Sequence, residues 1–323
     1  MVYYLVESLH HNPYVNLGYE EYMFSNLKED EALFYLWQNQ HTVVIGKNQN
    51  AFKECKVKQL QSDDGFLARR TSGGGAVYHD LGNLNFTFIL PNSIFDIHRQ
   101  LDVIIHALKA CGIHASFAGR NDIEVEGYKV SGNAFAKNKT HQLHHGTLLF
   151  DVNMSDLSKY LNVSSIKMAS KGVESVRKRV ANLVDFNKDC TLNGLKQALI
   201  HSFNDQYKSA LTQKEMNISS AKPFISKHES EAWQTNKIFD FQAQLHHKFS
   251  WGEVQAFFVV EYGIIKEVAL FSDALAMDLI DYLESIFVSC DYDDKAMRQR
   301  NTNTQYKEQT SQFIEALFKE GDV

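Results

Sequence analysis

Fifteen residues, RRTSGGGAVYHDLGN from Arg69 to Asn83, set two arginines before three consecutive glycines and a His-Asp pair. A glycine triplet costs backbone entropy in any regular element, so a fold keeps one where φ must be positive or where something approaches the backbone closely. With arginines alongside, the approaching group is expected to be an anion, ringed by backbone amides and held by a guanidinium. Two well-known phosphate loops do not fit. A Walker A loop needs Lys-Ser/Thr after its last glycine, whereas Ala76 and Val77 follow Gly75. The dinucleotide fingerprint would need a third glycine where Tyr78 stands, and it leads into a helix rather than a strand. A glycine loop of another kind remains; for the triplet alone, a tight turn flanked by solvated arginines is the simpler account. His79-Asp80 alone implies no catalysis, because such a pair commonly satisfies itself at a strand end.

Three other segments add chemistry. NDIEVEGYKVSGNAF (121–135) sets Lys129 on a strand immediately before an expected glycine-containing turn, where an ammonium beside backbone amides suits a phosphate. HHGTLLF (144–150) offers His144 and His145 before a small Gly146-Thr147 step that would admit a flat ring; adjacent histidines are poor joint metal ligands. KGVESVRKRV (171–180) carries Lys171, Arg177, Lys178 and Arg179 against the single acid Glu174, a charge run whose natural target is a polyphosphate.

These residues need a scaffold. VYYLVES, ALFYLWQ and TVVIG read as strands, with a helix over NLGYEEYMFSNL between the first two. FLARR runs into the glycine stretch, and AVYHD and LNFTFIL resume as strands around an LGN turn, so the glycines are expected in a loop between paired strands. Ile97, Leu101, Ile104 and Leu108 share one face of a helix that Gly112 stops. HASFAG, DIEVE, YKVSG and HQLHHGTLLFDV follow as strands, with a hairpin at Gly127, and then SDLSKYL as a helix. Residues 162–182 read as a long basic loop with a short helix at its end; such loops in compact domains are usually functional or disordered. Helices are expected around 192–203 and 226–234. From His246 the character changes to a hairpin turning at Gly263 and a helix over 274–287. The expected fold class is therefore α+β, with largely antiparallel sheets and helices, divided as a catalytic domain 1–245 and a small accessory domain 246–323.

Composition limits the partners. A chain of 323 residues with formal net charge -6 lacks the broadly basic surface that non-specific nucleic-acid binding requires, so any basic site is local. Cys55, Cys111, Cys190 and Cys290 show no zinc or disulfide spacing, which suits reduced, cytoplasmic thiols. MVYYLVESLHHNPY has no basic leader and meets Glu7 early, and no apolar run reaches membrane-spanning length, so no membrane partner is expected.

In this order and at these spacings, RRTSGGGAVYHDLGN, GRNDIEVEGYKVSGNAF, HHGTLLF and KGVESVRKRVANL resemble the lipoate-protein ligases of the biotin/lipoate ligase superfamily. The likeness extends through NPYVNLGYEEYMF and TVVIGKNQNAFKEC to KFSWGE and VALFSDAL, essentially the whole chain. It implies ATP-dependent adenylation of lipoate with Mg2+, then transfer from lipoyl-AMP to a lysine of a lipoyl carrier domain, in 2-oxoacid dehydrogenase E2 subunits or glycine cleavage H protein. By the same resemblance, Lys129 is the catalytic residue, contacting the lipoate carboxylate and the α-phosphate. Arg70, Gly73, Gly74, Gly75, Ala76, Val77, Tyr78, Asn83, His145, Gly146, Thr147, Lys171 and Arg177 bind substrate or nucleotide. Asp122 helps place magnesium, and the basic loop serves as a lid. An acyltransferase of the same fold would need a cysteine nucleophile near the glycine loop, and none lies within either motif. A non-catalytic acyl or nucleotide sensor could dispense with Lys129, and biotin ligases carry a charged Gly-Arg-Gly-Arg loop that is absent here.

Overall fold

The computed structural model describes residues 1–119, 122–162, 180–235, 243–261 and 263–320. The chain begins as a parallel pair, β1 (Val2–Glu7) and β2 (Glu31–Trp37), joined through helix α1 (Pro13–Asn26). Pro13 opens α1 with its φ preset, and the Asn12 side chain accepts from the amides of Tyr14 and Val15. The turn of α1 between Asn16 and Glu20 is buried on every side, polar residues included, because it lies between the sheet and a second helix.

Two sheets enclose the site. The larger has eight strands in the order β11-β1-β2-β6-β10-β9-β8-β7, with β6 (Asn83–Pro91) at its centre and all nine of its residues buried. Around it stand β7 (Ser116–Ala118), β8 (Asp122–Val125), β9 (Tyr128–Lys137), β10 (His141–Leu149) and β11 (Thr212–Gln213). Every pair from β2 to β7 is antiparallel. The smaller sheet, β4-β3-β5, consists of β3 (Thr42–Ile45), β4 (Phe66–Arg69) and β5 (Val77–His79). Short helices α2 (Ala51–Glu54) and α3 (Val57–Ser62) connect β3 to β4.

Alternation along β6 divides the two faces of the large sheet. Leu84, Phe86 and Phe88 point into a core closed by α4 (Ile97–Ala110) and, after α5 (Met154–Tyr160), by α6 (Leu192–Tyr207). Phe34 stacks on Phe88 and Phe203 there at 4.8 and 5.2 Å between ring centres, each pair contributing about 0.5–1.5 kcal/mol beyond its buried area. Asn83, Asn85 and Thr87 take the other face, toward α1, α7 (Ile218–Glu229) and the small sheet. A polar row on a buried face calls for partners or a ligand.

A separate core lies in the antiparallel meander β12 (Ala243–Phe249), β13 (Gly252–Glu261) and β14 (Ile264–Ser272), covered by α9 (Met277–Phe287), α10 (Asp294–Arg300) and α11 (Lys307–Glu320), which follow the short α8 (Glu231–Thr235). This unit rests on the glycine loop: the Gly74 amide donates to Ala274 O at 3.1 Å, Ser272 N to Asn48 O at 2.6 Å, and Lys47 Nζ meets Asp281 Oδ2 at 2.6 Å.

The α+β expectation, with largely antiparallel sheets, holds. Four local expectations differ. β4 and β5 do not pair with each other: β3 lies between them, parallel to β4 and antiparallel to β5, so the glycine loop spans the end of a third strand. The LGN turn moves the chain from one sheet to the other rather than making a hairpin. No turn follows Lys129, since β9 runs straight through Gly132. The 245/246 boundary falls inside β12, whose pairing with β13 carries the unit back to Ala243.

Candidate functional site

The two arginines at the head of the loop are both buried, and neither meets solvent with its charge. Arg69 donates to the carbonyls of Gly46, Lys47 and Gln49 and, far along the chain, to those of Trp233 and Gln234. Arg70 turns inward on its own loop, reaching Gly73 O at 2.6 Å, Gly75 O at 2.8 Å and the Ser72 hydroxyl at 3.0 Å. Burial pulls both guanidinium groups down to about 10, leaving them charged at neutral pH; at Arg70 the field of Glu20 opposes that fall. The direct grip on an anion that the sequence suggests for Arg70 is thus spent on loop carbonyls, and what it adds to the cavity it lines is field.

The three glycines do three different things. Gly73 lies under the C-terminal unit, Gly74 takes φ +89°, and a side chain on Gly75 would meet nothing within 4 Å. Gly75 therefore leaves open the wall where a ligand can approach the backbone, beside Ala76 and Val77.

Beneath this loop is a cavity of about 130 Å³, close to the ~150 Å³ cavity known to hold a benzene ring. It runs across strands rather than along one. Trp37 on β2 faces Asn85 on β6, which faces Thr147 on β10, and Thr147 Oγ1 accepts from the Gly132 amide of β9 at 3.1 Å. Three strand spacings make this about 14 Å. At the β9 end, Lys129 Nζ passes 3.1 Å from where a Gly132 Cβ would stand, so this glycine makes room for the lysine. At the β2 end, His79 sits edge-on to Trp37 with Leu17 and Val44 nearby. One end is cationic and lined by backbone, and the other is largely apolar.

Lys129 Nζ pairs with Asp122 Oδ1 at 2.7 Å, both side chains about one-third exposed. A bulge in the β8–β9 ladder between Ile123 and Glu124 sets this pairing, and the chain returns beside it as Val180 bridges Lys129. A hydrogen-bond chain ties the middle of the cavity to the loop. The Trp37 indole donates to Thr87 Oγ1 at 3.0 Å, and Thr87 donates to Glu20 Oε1 at 2.6 Å. Glu20 also accepts from His145 Nδ1 at 2.9 Å. His145 Nε2 lies 2.6 Å from the Ser72 hydroxyl, which itself accepts from Arg70. Each hydroxyl accepts from one side and donates to the other, so the chain locks the loop's conformation to the sheet.

Of the residues expected from sequence, Arg70, Gly74, Gly75, Ala76, Val77, Lys129, His145, Gly146 and Thr147 line this one cavity. Gly73, Tyr78 and Asn83 do not: Gly73 contacts Ala274, Tyr78 packs in a core with Tyr160, and Asn83 supports Asn85. Asp122 meets Lys129 rather than the cavity wall. Lys171, Arg177 and nearly all of the expected lid lie outside the described residues. Reading the sequence missed Trp37, Asn85, His79 and Glu20. The excess of polar residues on strand β6 and helix α1 hinted at Asn85 and Glu20, and nothing local marked Trp37 or His79.

No cysteine lines the cavity. Cys55 and Cys190 are buried, which pushes their thiols up to about 12, far from a reactive thiolate. No group of three metal-ligating side chains occurs among the described residues, and no helix among them is long and apolar enough to cross a membrane.

Comparison with known proteins gives a consistent result. Residues 12–204 match the family of lipoyl protein ligase A/B catalytic domains, and residues 239–320 match the bacterial lipoate protein ligase C-terminus. A lipoate-protein ligase A from Psychrobacter cryohalolentis is 42% identical over 293 residues, 87% of this chain and 86% of that one. The crystal structure of P. falciparum LipL1 in complex with lipoate superposes with a TM-score of 0.86 at 32% identity, covering 97% and 99% of the two chains. A lipoate-protein ligase A bound with ATP superposes at 0.66 and 27% identity, over 74% of this chain and all of that one.

Proposed function

The chain belongs to the lipoate-protein ligase family, and from that membership we propose how its own residues divide the work. It is an ATP-dependent ligase that activates lipoate as lipoyl-AMP and passes the lipoyl group to a lysine of a lipoyl carrier domain. The observation that carries the assignment of roles is the placement of Lys129 at one end of a cavity roofed by the loop residues Gly74 to Val77.

Lipoate lies across the strands, its ring toward Trp37 and its carboxylate toward Lys129. ATP approaches over Gly75, where the backbone is bare. Lys129 bridges the carboxylate and the α-phosphate, orienting in-line attack in the first half-reaction and stabilising charge on the carbonyl oxygen in the second. The loop amides beyond Gly74, whose own N–H is held by Ala274 O, take the phosphate, and Arg70 supports them by fixing the carbonyls of Gly73 and Gly75. Asp122 must release Lys129 for this. Once free, its carboxylate suits a magnesium ion, which takes one or two carboxylates and completes its shell with phosphate oxygens and water. When bound, that ion would neutralise triphosphate charge. The catalytic unit ends before Ala243 and the accessory unit begins there. Four free thiols, three of them buried, favour a cytoplasmic enzyme, and the acceptors we expect are lipoyl domains of 2-oxoacid dehydrogenase E2 subunits or glycine cleavage H protein.

ATP–pyrophosphate exchange, measured with and without lipoate, tests this reading. Lipoate-dependent exchange that disappears in Lys129→Ala supports it, and exchange that survives the substitution refutes the role given to Lys129.

A further inference from the structure

We propose that His79 and Asn85 form a sulfur-reading end of the acyl cavity, where two N–H groups favour the cyclic disulfide of lipoate over an unsubstituted aliphatic acid such as octanoate. The proposal rests on the lipoate-ligase reading above and concerns which acid that enzyme prefers.

Both side chains line the cavity at its Trp37 end, and they are only 3% and 2% exposed. Neither His79 Nε2 nor Asn85 Nδ2 has a hydrogen-bond partner. The proton on His79 can be placed by following the chain behind it. Tyr35 and Ser8 donate their hydroxyl hydrogens to Asn16 Oδ1 at 3.1 and 2.6 Å, so Asn16 must donate through Nδ2. Its two hydrogens are shared among His10 O, Gln38 O and Asn39 Oδ1, at 3.0, 2.9 and 3.0 Å, so the Asn39 atom turned toward it is the acceptor oxygen. Asn39 is thereby left with its Nδ2 toward His79 Nδ1, at 3.3 Å, which makes that ring nitrogen the acceptor. Burial keeps the imidazole neutral, pulling it down to about 3, and its one hydrogen sits on Nε2. Asn85 has spent its oxygen in accepting from Asn83 Nδ2 at 3.0 Å, and its amide N–H₂ is unused.

Buried donors without partners are costly, and three asparagines, a tyrosine and a serine hold these two where they stand. Both nitrogens are already sealed from water in the free protein, and a polymethylene chain in the cavity would leave them unpaired. A dithiolane brings two polarisable sulfurs, weak acceptors but acceptors nonetheless. An unpaired buried donor costs a factor of about five at the low end of the usual range and more than about a hundred at the high end.

The full-length enzyme is assayed by pyrophosphate exchange with lipoate and with octanoate, and the ratio of the two kcat/KM values is read. His79→Phe and Asn85→Leu should each lower that ratio about tenfold. His79→Gln, which keeps an N–H near the same place, should hold it within about twofold. In the unmodified protein, the His79 ring N–H resonance should shift on adding lipoate and stay in place with octanoate. A ratio unchanged in folded His79→Phe and Asn85→Leu, or a resonance indifferent to lipoate, overturns the proposal. Absence of exchange with either acid in the unmodified enzyme would refute the ligase reading itself, while the resonance would still report on recognition.

Discussion

Gly73→Ala should separate the two half-reactions. A methyl group on Gly73 would stand 2.3 Å from Ala274 O and 3.2 Å from Leu275 O. Both are backbone atoms that cannot rotate away. Gly73 has no positive φ, so alanine suits its own backbone and the strain falls on the contact with the C-terminal unit. Overpacking of this kind costs about 1–3 kcal/mol, and displacing Ala274 also removes its bond from the Gly74 amide, worth about 1 kcal/mol. The Lys47–Asp281 pair is exposed and would hold little in compensation. A loss of about 2–4 kcal/mol shifts docking roughly 30- to 700-fold toward separation. If the docked unit helps to close the loop over ATP, lipoate-dependent pyrophosphate exchange should fall by a comparable factor. Transfer from supplied lipoyl-AMP to a lipoyl domain should persist, because Lys129 and the cavity are untouched. Equal loss of both half-reactions in a folded variant, or no change in either, would refute this division of labour.

Lys129→Ala should fold with unfolding midpoints near the parent's, since among the described residues the lysine's ammonium pairs with a partly exposed Asp122, yet make no measurable lipoyl-AMP by thin-layer assay. Replacing all four cysteines by serine should leave exchange and transfer intact once folding is verified by circular dichroism; a selective loss at one thiol would revive the acyltransferase reading. Acid should destabilise the protein through His79, whose folded value near 3 lies below the unfolded 6.5. The unfolded state binds the extra proton between these values, so stability is full above about pH 6.5 and falls by about 1.4 kcal/mol per unit on acidification toward 3. Urea titrations across that range should show a slope shallower by one proton in His79→Phe.

Much of the site could be read from sequence because its parts are punctuated: a glycine triplet, a lysine three residues before another glycine, a Gly-Thr step. The mixed fold followed from strand-length apolar runs between amphipathic helices. What could not be read was tertiary. That β3 inserts between β4 and β5 depends on a parallel pairing, which no local turn announces. Arg70 looked like an anion ligand because its type and neighbours suit one, but its rotamer is decided by carbonyls that come near only when the loop is folded. Gly132 looked like a turn; a lysine side chain passing over a strand leaves no local signature. Glu20, Trp37 and Asn85 come from three separate elements, and they meet only through sheet register.

Arg69 bears on how the enzyme comes off the ribosome. Two of the carbonyls that receive its hydrogens, at Trp233 and Gln234, lie 164 and 165 residues downstream. At ordinary rates of synthesis that interval is roughly ten to thirty seconds. Throughout it, the guanidinium next to the glycine loop lacks two of the five carbonyls that make its burial tolerable. The nascent chain can have its central sheet while the base of the glycine loop is still unset, and a message truncated anywhere before codon 233 yields a protein in which Arg69 lacks both of those contacts. With the role proposed for the glycine loop, competence to activate an acid is deferred until the whole catalytic unit has been translated.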